Sequence, residues 1–407
     1  MVSSLRGMND LFGSDAEKYS YFLDVASSVA KRYGYEFIRT PLLEETGLFL
    51  RSVGESSDIV GKEMYRFSDK GGNDVCLRPE GTAGVVRSFI EQKLDRKGGI
   101  HRFCYSGTMY RYERPQKGRL REFSQFGCES FGEESVYEDA SVILLVAQIF
   151  STLGIAYTLK LNSLGCKGCM PSYKDLLVEF VKSHTEAICD DCKRRVDTNP
   201  IRVLDCKNES CQAIYKDAPK LLDHLCSGCK NDFAKLKELL NQSDLGFEID
   251  SHLVRGLDYY TKSAFEFVSS GIGSQNAIAG GGRYDTLVEY LGGKSTPAIG
   301  FAIGIERILD LIVPQETKGK LFYIGSLDED SLDASFAAAL QKRASVQTFF
   351  EPKPRSLKNH LKTADKIGAS HCCVIGSNEL ADDSIWVKDL LSKEEQTIKI
   401  KDFNGLF

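Results

Sequence analysis

The sequence lacks the features that indicate membrane insertion, secretion or a general affinity for polyanions. It has no apolar run long enough to span a bilayer, and its N-terminal stretch does not join a basic flank to an apolar segment. Basic residues are outnumbered, with 52 Lys and Arg against 57 Asp and Glu, so the formal net charge is −5. We therefore expect a cytoplasmic protein with no membrane partner, in which any contact with nucleic acid depends on local basic patches.

The usual nucleotide-binding signatures are also absent. No stretch has the form GxxxxGK[ST], and "GGGRYD" at 280–285 does not follow the GxGxxG pattern of a βαβ unit. A phosphate-binding site in this protein must therefore be built from other residues.

The size and composition are those of an ordinary globular protein. Apolar residues make up 42% and charged residues 27% of the chain. With 407 residues the chain is longer than one hydrophobic core usually supports. We expect two domains, or one domain with a large insertion.

The pattern of apolar residues predicts where the main elements lie. Ser14 and Glu17 form the pattern of a capping box before an amphipathic helix over about 15–33. Two aromatic, β-prone segments at 101–112 and 122–131 predict an antiparallel hairpin. Residues 170–245 are predicted to be helical, and after a linker at 314–320 strands and helices alternate, which indicates a small α/β domain.

A basic stretch lies between the two strands of the predicted hairpin. Residues 110–123 read "YRYERPQKGRLREF" and contain five basic residues: Arg111, Arg114, Lys117, Arg119 and Arg121. Three interpretations are open: a patch for a nucleic-acid backbone, a clamp for the phosphates of a small molecule, or a solvated loop. Guanidinium groups bind phosphate oxygens in pairs, and neighbouring aromatic rings can stack on a base. Arg111, Glu113 and Phe123 have the chemistry to bind an α-phosphate, the adenine amine and the adenine face.

Four other stretches place charge in apolar or glycine-rich surroundings. They are "CLRPEGTAG", "SQFGCESFG", "LVRGLDYYTK" and "GIERIL". Each alone is explained equally well by a turn salt bridge, a solvated strand face or a helix ion pair. Together they favour one binding site, with these candidate residues: Glu80, Thr82, Gln125, Glu129, Arg255, Tyr259, Tyr260, Glu306 and Arg307.

These stretches resemble a known family. "MYRYERPQKGRLREFSQFGCESFG" is similar to motif 2 of the class II aminoacyl-tRNA synthetases, "GFAIGIERIL" resembles motif 3, and the first helix with "YGYEFIRTPLLE" resembles motif 1. Within that class, "LRPEGTAG", "LVRGLDYYT" and "RGMNDLFG" are similar to stretches of histidyl-tRNA synthetase. The resemblance covers nearly the whole chain, including "RSLKNHLKTADKIGA" near its end.

The resemblance implies a fold and a division into domains. The implied fold is an α+β catalytic domain of the class II type, built on an antiparallel β-sheet flanked by helices. This domain would comprise 1–164 and 246–314. A mainly helical, Cys-rich insertion would occupy 165–245, and a C-terminal α/β anticodon-binding domain 315–407.

The resemblance also implies the reaction. Histidine and ATP, with Mg²⁺, would give histidyl-adenylate and pyrophosphate, and the acyl group would pass to the 3′ end of tRNA(His). The implied catalytic residues are Arg111, Arg255 and Arg307, which would neutralise charge on the phosphates. The ATP-binding set adds Glu113 and Phe123 to these arginines.

The histidine and tRNA sites are implied in the same way. The residues implied to bind histidine are Glu80, Thr82, Arg111, Gln125, Glu129, Arg255, Tyr259 and Tyr260. The residues implied to contact tRNA are Arg114, Gln116, Lys117, Arg119, Arg121, Lys353, Arg355, Lys358 and Lys362. The motif 1 helix and strand imply a homodimer. The main alternative is a histidine-binding regulatory paralogue that does not charge tRNA, and a zinc-dependent nucleic-acid-binding protein is a second one.

Eight of the thirteen cysteines lie between 166 and 229 in four close pairs. The spacing is Cys166-x2-Cys169-x19-Cys189-x2-Cys192, then Cys206-x4-Cys211-x14-Cys226-x2-Cys229. The first four fit a zinc spacing, and eight thiolates could form two Cys₄ sites or share partners differently. Structural zinc and free buried thiols are both open, whereas a disulfide framework is not expected in a reducing cytosol.

Overall fold

The computed structural model describes residues 2–53, 59–206, 208–255, 257, 259–272, 276–312, 320–403 and 405. The chain divides into two compact units, Met1–Val313 and Pro314–Phe407. The linker predicted at 314–320 lies outside the described residues except for Lys320. Among the described residues, no helix has both the length and the apolar character needed to cross a bilayer.

The first unit contains eleven strands among the described residues, including the predicted pair at 101–112 and 122–131. Their bounds are β1 (Glu36–Phe37), β2 (Leu43–Glu45), β3 (Arg66–Ser68), β4 (Asp74–Leu77), β5 (His101–Tyr110), β6 (Glu122–Phe131), β7 (Thr158–Ser163), β8 (Glu248–Ile249), β9 (Thr261–Val268), β10 (Ala277–Arg283) and β11 (Ala298–Gly304). The predicted hairpin of β5 and β6 is present, with Tyr110 opposite Glu122 at its loop end.

The helices of the first unit include the four of the insertion. Their bounds are α1 (Ser14–Arg32), α2 (Thr46–Val53), α3 (Thr82–Glu91), α4 (Val136–Thr152), α5 (Met170–Lys182), α6 (Asp190–Thr198), α7 (Glu209–Tyr215), α8 (Ser227–Gln242), α9 (Leu287–Tyr290) and α10 (Ile305–Ile308). A π-helical turn lies at Ile59–Glu63.

A mixed sheet organises the first unit. Its strand order is β1-β5-β6-β11-β10-β9-β7-β8, and β2, β4 and β3 form a smaller sheet. The end pairs β1–β5 and β7–β8 are parallel. All pairs between them, from β5–β6 to β9–β7, are antiparallel. Helices α1, α4 and α8 bury their apolar sides in one core with this sheet. The predicted α+β class, an antiparallel sheet flanked by helices, is confirmed.

The start of α1 differs from its prediction. Gly13 is the N-cap residue, with φ 60°, and the Glu17 N–H donates to the Gly13 carbonyl oxygen. The predicted capping box at Ser14 is therefore wrong, because Ser14 is already inside the helix. The helix is held instead by its apolar face, where Phe22 and Ala26 are fully buried.

A buried ion pair joins α4 to the sheet. Arg283 Nε lies 2.6 Å from Asp139 Oδ1, and both side chains are almost completely buried. Ser263 Oγ donates to the other Asp139 oxygen at 2.6 Å. The Arg283 guanidinium also donates to the carbonyl oxygens of Glu133 and Ser135, so the buried charges are both paired and hydrogen-bonded.

The insertion is mainly helical, as predicted, but its last helix belongs to the core of the first unit. Helices α5, α6 and α7 surround a core of their own that includes Tyr173, Leu177 and Tyr215. Helix α8 instead places Leu236 and Leu240 in the large core with α4. The compact unit therefore contains the insertion together with the sheet, and the division of residues 165–245 into a separate domain stays a prediction.

The second unit is a five-stranded sheet with helices. Its strands are β12 (Leu321–Ser326), β13 (Gln347–Phe350), β14 (His371–Ile375), β15 (Ser384–Asp389) and β16 (Glu395–Lys399), in the order β13-β12-β14-β15-β16. Its helices are α11 (Leu332–Arg343), α12 (Leu357–Lys366), α13 (Ser377–Ala381) and α14 (Ile400–Phe403). The α/β alternation is present, and β16 is an added strand that the apolar pattern did not indicate.

Candidate active site

A cavity of about 210 Å³ opens on the central strands of the large sheet. Ten of its lining residues are ones that the sequence singled out for the ATP and histidine sites: Glu80, Thr82, Arg111, Glu113, Phe123, Gln125, Arg255, Tyr259, Tyr260 and Arg307. They come from segments up to two hundred residues apart, which the pairing of β6 with β11 and of β10 with β9 brings together.

The β5–β6 hairpin provides one wall. The Arg111 Nε donates to the Pro79 carbonyl oxygen at 2.9 Å, and its guanidinium carbon lies 5.3 Å from the centroid of the Phe123 ring. Phe123 is on β6, but Arg111 and Glu113 follow the end of β5. Their predicted position on a strand is therefore wrong. They stand in the loop because hairpin pairing ends at Tyr110.

Arg307 and Arg119 add positive charge at the same end. The Arg307 guanidinium donates to the carbonyl oxygens of Gly118 and Ala277 at 2.8 and 2.9 Å. Burial lowers the pKa of Arg307, and repulsion from Arg111 and Arg119 lowers it further. Cations that destabilise one another in this way are stabilised by a bound anion.

Arg255 enters from the opposite side and lies flat on the sheet. Its Nη1 is 2.7 Å from Glu266 Oε1, and its guanidinium carbon is 5.7 Å from the centroid of the Tyr260 ring. A Cβ at Gly280 would overlap this guanidinium. Gly280 of β10 thus makes room for a charged side chain above the sheet.

A carboxylate network forms the other end of the cavity. Glu80 accepts from the N–H groups of Thr82 and Ala83 at 2.7 and 2.9 Å, at the start of α3. Thr82 Oγ1 donates to Glu129 Oε1 at 2.7 Å, and the Tyr284 hydroxyl donates to Glu129 Oε2 at 2.5 Å. Burial is the main reason that the pKa of Glu129 rises to about 8 and that of Glu80 also rises.

Glu129 itself is not among the residues that line the cavity. It is 1% exposed and lies beneath Thr82, over Gly300, where a Cβ would overlap its carboxylate. Its place in the histidine-binding set stays a prediction. In this structure Thr82, whose hydroxyl group donates to Glu129, lines the cavity in its place.

Sequence reasoning missed three polar residues of the site. Tyr105 lines the cavity and donates to Glu129 at 3.3 Å, Tyr284 also bonds Glu129, and Glu266 pairs with Arg255. Tyr105 and Tyr284 looked like ordinary core aromatics. Glu266 could have been found from the sequence, since it is a charged residue within the apolar strand "AFEFV".

Three polar atoms of the cavity have neither a hydrogen-bond nor an ion-pair partner among the residues that the structure describes. They are Gln125 Oε1, Arg255 Nε and the Tyr259 hydroxyl oxygen, and all three are buried. Buried polar atoms in proteins are almost always paired, so an unpaired acceptor and donor that share a cavity indicate contacts for a polar ligand.

The remaining basic residues of the hairpin loop lie outside the cavity. Arg114 and Gln116 are exposed, and Lys117 is 3.3 Å from Asp310 at the surface. The guanidinium carbon of Arg121 packs 3.9 Å from the centroid of the Tyr112 ring. Arg119, grouped with these residues in the sequence, instead lines the cavity and lies 2.7 Å from Glu113.

The second unit carries its own basic surface. Lys353, Arg355, Lys358 and Lys362 are exposed on α12 and on the segment before it. Of these, Arg355 forms an ion pair with Glu351 at 3.3 Å.

The eight insertion cysteines form two groups. We call the outer group Cys166, Cys169, Cys226 and Cys229, and the inner group Cys189, Cys192, Cys206 and Cys211. Within each group all four sulfur atoms lie within 4.8 Å of one another. The first four cysteines of the insertion are therefore not one site: its four close pairs are nested, the first with the fourth and the second with the third. Either group could hold a metal ion.

The fold and the cavity together define a class of enzyme. A hairpin that carries Arg111 and Glu113, facing an arginine at the junction of β11 and α10, is the arrangement of the class II aminoacyl-tRNA synthetases. The solved structure of apo S. aureus histidyl-tRNA synthetase matches this chain with a TM-score of 0.83 and 32% identity, covering 100% of both chains.

Sequence comparison places the chain within that class. The family described as "Histidyl-tRNA synthetase" matches residues 7–308, and "Anticodon binding domain" matches residues 328–406. A protein of Sulfurimonas denitrificans named histidine--tRNA ligase is 63% identical over 398 residues, 98% of this chain and 99% of that protein. One of the same name from Campylobacter jejuni strain RM1221 is 53% identical over 404 residues, 99% of each. The chain belongs to the histidyl-tRNA synthetase family.

The fold alone does not separate an enzyme from a regulator. A Bacillus halodurans structure named "ATP phosphoribosyltransferase regulatory subunit/histidyl-tRNA synthetase" matches with a TM-score of 0.66 at 21% identity and covers 92% of this chain. At that identity only the fold is shared. The chemistry must be argued from the site residues.

Proposed function

We propose that this protein is a histidine–tRNA ligase. It activates L-histidine with ATP to give histidyl-adenylate and pyrophosphate, and then transfers histidine to the 3′ end of tRNA(His). The observation that carries the proposal is the cavity, which holds arginines at one end and the Glu80–Thr82 network with Gln125 at the other. Such a site accepts a phosphate and a zwitterionic amino acid side by side.

The first step needs charge neutralisation at the α-phosphate. The histidine carboxylate attacks the α-phosphorus, the bond to the bridging oxygen breaks, and pyrophosphate leaves. Arg111 and Arg255 approach the reacting group from opposite walls, and Arg307 holds the far end of the nucleotide. Their guanidinium groups are fixed by carbonyl oxygens or by Glu266, so little reorganisation accompanies the reaction. Phe123 stacks on the adenine and Glu113 accepts from its amine.

Mg²⁺ bound together with ATP would neutralise charge on the leaving pyrophosphate. Carboxylate oxygens are ligands that Mg²⁺ accepts, and Glu306, which lines the cavity, would provide one. Glu306 also receives the Ser124 N–H on both oxygens, at 2.7 and 2.9 Å, which fixes its direction.

The histidine end combines charge with hydrogen bonds. Glu80 and Gln125 accept from the α-ammonium group. Tyr259 and Tyr260, whose ring centroids are 4.7 Å apart, enclose the imidazole. A neutral imidazole has one donor and one acceptor nitrogen, so its recognition requires complementary groups on both edges. Tyr260 and Glu129, acting with the Thr82 hydroxyl, are proposed to provide them.

The tRNA is the macromolecular partner. The exposed loop residues Arg114, Gln116 and Lys117 are proposed to contact its acceptor end, and Arg121 to support this loop by packing on Tyr112. Lys353, Arg355, Lys358 and Lys362 of the second unit are proposed to contact tRNA phosphates elsewhere. Exposed cations that track a phosphate backbone give salt-dependent affinity.

Three further proposals concern the protein's state. We expect a homodimer, which sedimentation at micromolar concentration will show, whereas a monomer alone at that concentration contradicts it. We expect a cytoplasmic location, as for other components of translation. Structural Zn²⁺ in the insertion is proposed separately, because the reaction does not require it.

The regulatory alternative is not favoured. Relatives named histidine--tRNA ligase span the whole chain at 52–63% identity. The cavity also retains every arginine that the reaction requires: Arg111, Arg255 and Arg307.

Transfer of labelled histidine to tRNA tests the proposal. The purified protein is incubated with ATP, Mg²⁺, total tRNA and each labelled amino acid in turn. The expected result is acid-precipitable label with histidine alone. Histidine binding without acylation would support the regulator, and acylation with another amino acid would show that the pocket is assigned wrongly.

A further inference from the structure

The cysteine sulfur atoms of the insertion lie in two tight groups, at separations that a disulfide does not explain. Sulfur separations are 3.7 Å for Cys166–Cys169, 3.9 Å for Cys166–Cys226 and 3.7 Å for Cys189–Cys206. A disulfide places its sulfurs about 2.05 Å apart. Four thiolates around one zinc ion at about 2.3 Å place theirs about 3.8 Å apart. We propose that the outer and the inner group each bind one zinc ion, so that the chain holds two.

The backbone around the sulfurs supports the same conclusion. The Cys226 N–H donates to the Cys169 sulfur and the Cys189 N–H donates to the Cys211 sulfur, both at 3.2 Å. One such bond occurs in each group. Outer hydrogen bonds of this kind orient metal ligands and stabilise the thiolate form.

The other cysteines provide an internal comparison. Cys104 and Cys128 face each other across β5 and β6, and Cys372 and Cys373 are adjacent on β14. All four are buried singly or in pairs among apolar side chains, as small hydrophobic residues usually are. Two tetrads in one segment do not fit that use, since eight clustered thiols pack no better than alanine or valine would.

The size of the insertion explains why it needs metal ions. Helices α5, α6 and α7 have 13, 9 and 7 residues, and their core is small. Segments this short gain too little from burial alone to offset their conformational entropy. A metal ion that joins distant residues supplies folding free energy directly.

The two proposed zinc sites join different parts of the insertion. The outer group joins the start of the insertion, just after β7, to the N-terminal end of α8, across sixty residues of chain. Next to it, the Lys262 N–H of β9 donates to the Gly165 carbonyl oxygen, and the Leu164 N–H donates to the Lys262 carbonyl oxygen. A cleft lined by both Cys166 and Arg255 lies beside it, so the outer ion braces the wall of the catalytic cavity. The inner group joins only α6 to α7 and the turn between them.

Metal analysis of the full-length protein, purified without chelator, tests the proposal. We expect two zinc equivalents per chain by mass spectrometry, and stepwise release of both by an organomercurial reagent. The variants Cys226→Ser/Cys229→Ser and Cys206→Ser/Cys211→Ser are each expected to retain one equivalent. The control Cys372→Ala, in the separate second unit, is expected to retain two.

Hydrogen exchange locates the two ions. Loss of the outer site is expected to speed amide exchange at the start of α8 and in residues 251–262, whereas loss of the inner site speeds it only within about 189–215.

Less than one equivalent of zinc in the unmodified chain overturns the proposal. One equivalent overturns the assignment of an ion to each group, and equal exchange in both variants overturns the nested arrangement. If a double variant is insoluble, the release measurement on the unmodified chain decides the count. The metal count does not depend on tRNA charging, so failure here leaves the proposed reaction standing.

Discussion

Two basic regions of the molecule have similar charge and different surroundings. Around the cavity, Arg111, Arg255 and Arg307 are partly or largely buried and each is hydrogen-bonded to a carbonyl oxygen or a carboxylate. On α12, Lys358 and Lys362 are exposed on a solvated face. A basic run in a sequence therefore does not identify its own role. The two regions differ in how far each cation is held in place and removed from water. Fixed, dehydrated cations suit a phosphate that reacts, whereas solvated cations suit a phosphate backbone that is only bound.

The largest expected effect is on stability, where a buried and an exposed ion pair can be compared directly. Arg283→Met leaves Asp139 in the core without its ion-pair partner, so the free energy of unfolding should fall by about 3–5 kcal/mol. Arg66→Met, which breaks the exposed pair with Asp74, should lower the free energy of unfolding far less, because solvent screens this pair. Urea unfolding measures both. Similar losses in the two variants would show that burial does not decide the strength of these pairs.

The next effect is on adenylate formation. Arg111→Ala should lower histidine-dependent pyrophosphate exchange by about 10²–10³-fold, because it removes a preorganised cation from the α-phosphate. The matched control is Lys70→Ala, an exposed cation of the same unit. Its exchange rate should equal that of the unmodified protein. A comparable loss in the control would mean that net charge, and not position, governs this step.

A smaller effect is expected from pH. Glu129 has a folded-state pKa of about 8, above its ordinary value, so the folded state binds more protons than the unfolded state at neutral pH. Its contribution to stability is full at low pH and is lost as pH rises toward 8, by up to about 1.4 kcal/mol per pH unit. Glu129→Gln should flatten the curve between pH 6.5 and 8. Asp139, with a pKa of about 6, acts in the same direction at lower pH. Identical slopes in both proteins would contradict a neutral buried Glu129.

The smallest effect is expected on the exposed helix. Lys358→Ala/Lys362→Ala should raise the KM for tRNA severalfold and make its dependence on salt shallower by about one to two units in log–log slope. Pyrophosphate exchange, which needs no tRNA, should keep its rate. If this variant slowed pyrophosphate exchange as much as Arg111→Ala does, the proposed difference between the cavity arginines and the exposed lysines of α12 would be wrong.

A helix or strand can be predicted from the sequence when its pattern depends only on residues close together in the chain. The hairpin of β5 and β6, the helix α4 and the alternating elements of the second unit follow from apolar periodicity within a few residues. Strand β10 does not, because "AIAGGGR" has three consecutive glycines and glycine is depleted in strands. The need for glycine at position 280 is explained only by the Arg255 guanidinium that lies against it in the folded structure.

The candidate site shows the same limit. The residues that resemble family motifs were found from the sequence and are mostly in the cavity. Tyr284 and Tyr105 were missed because their hydroxyl groups meet Glu129 only after four strands have paired. Arg119 was grouped with the outer loop because spacing does not show that a tight bridge to Gln116 turns it inward. The nested pairing of the cysteines likewise depends on how the insertion folds back on itself.

The most direct test of the account is histidine-dependent exchange of labelled pyrophosphate into ATP by the unmodified protein, with no tRNA present. The cavity contains the groups proposed for adenylate formation without help from the basic surfaces. The account therefore predicts rapid exchange with histidine and none above background with other amino acids. Exchange that required tRNA, or that occurred with a different amino acid, would contradict it.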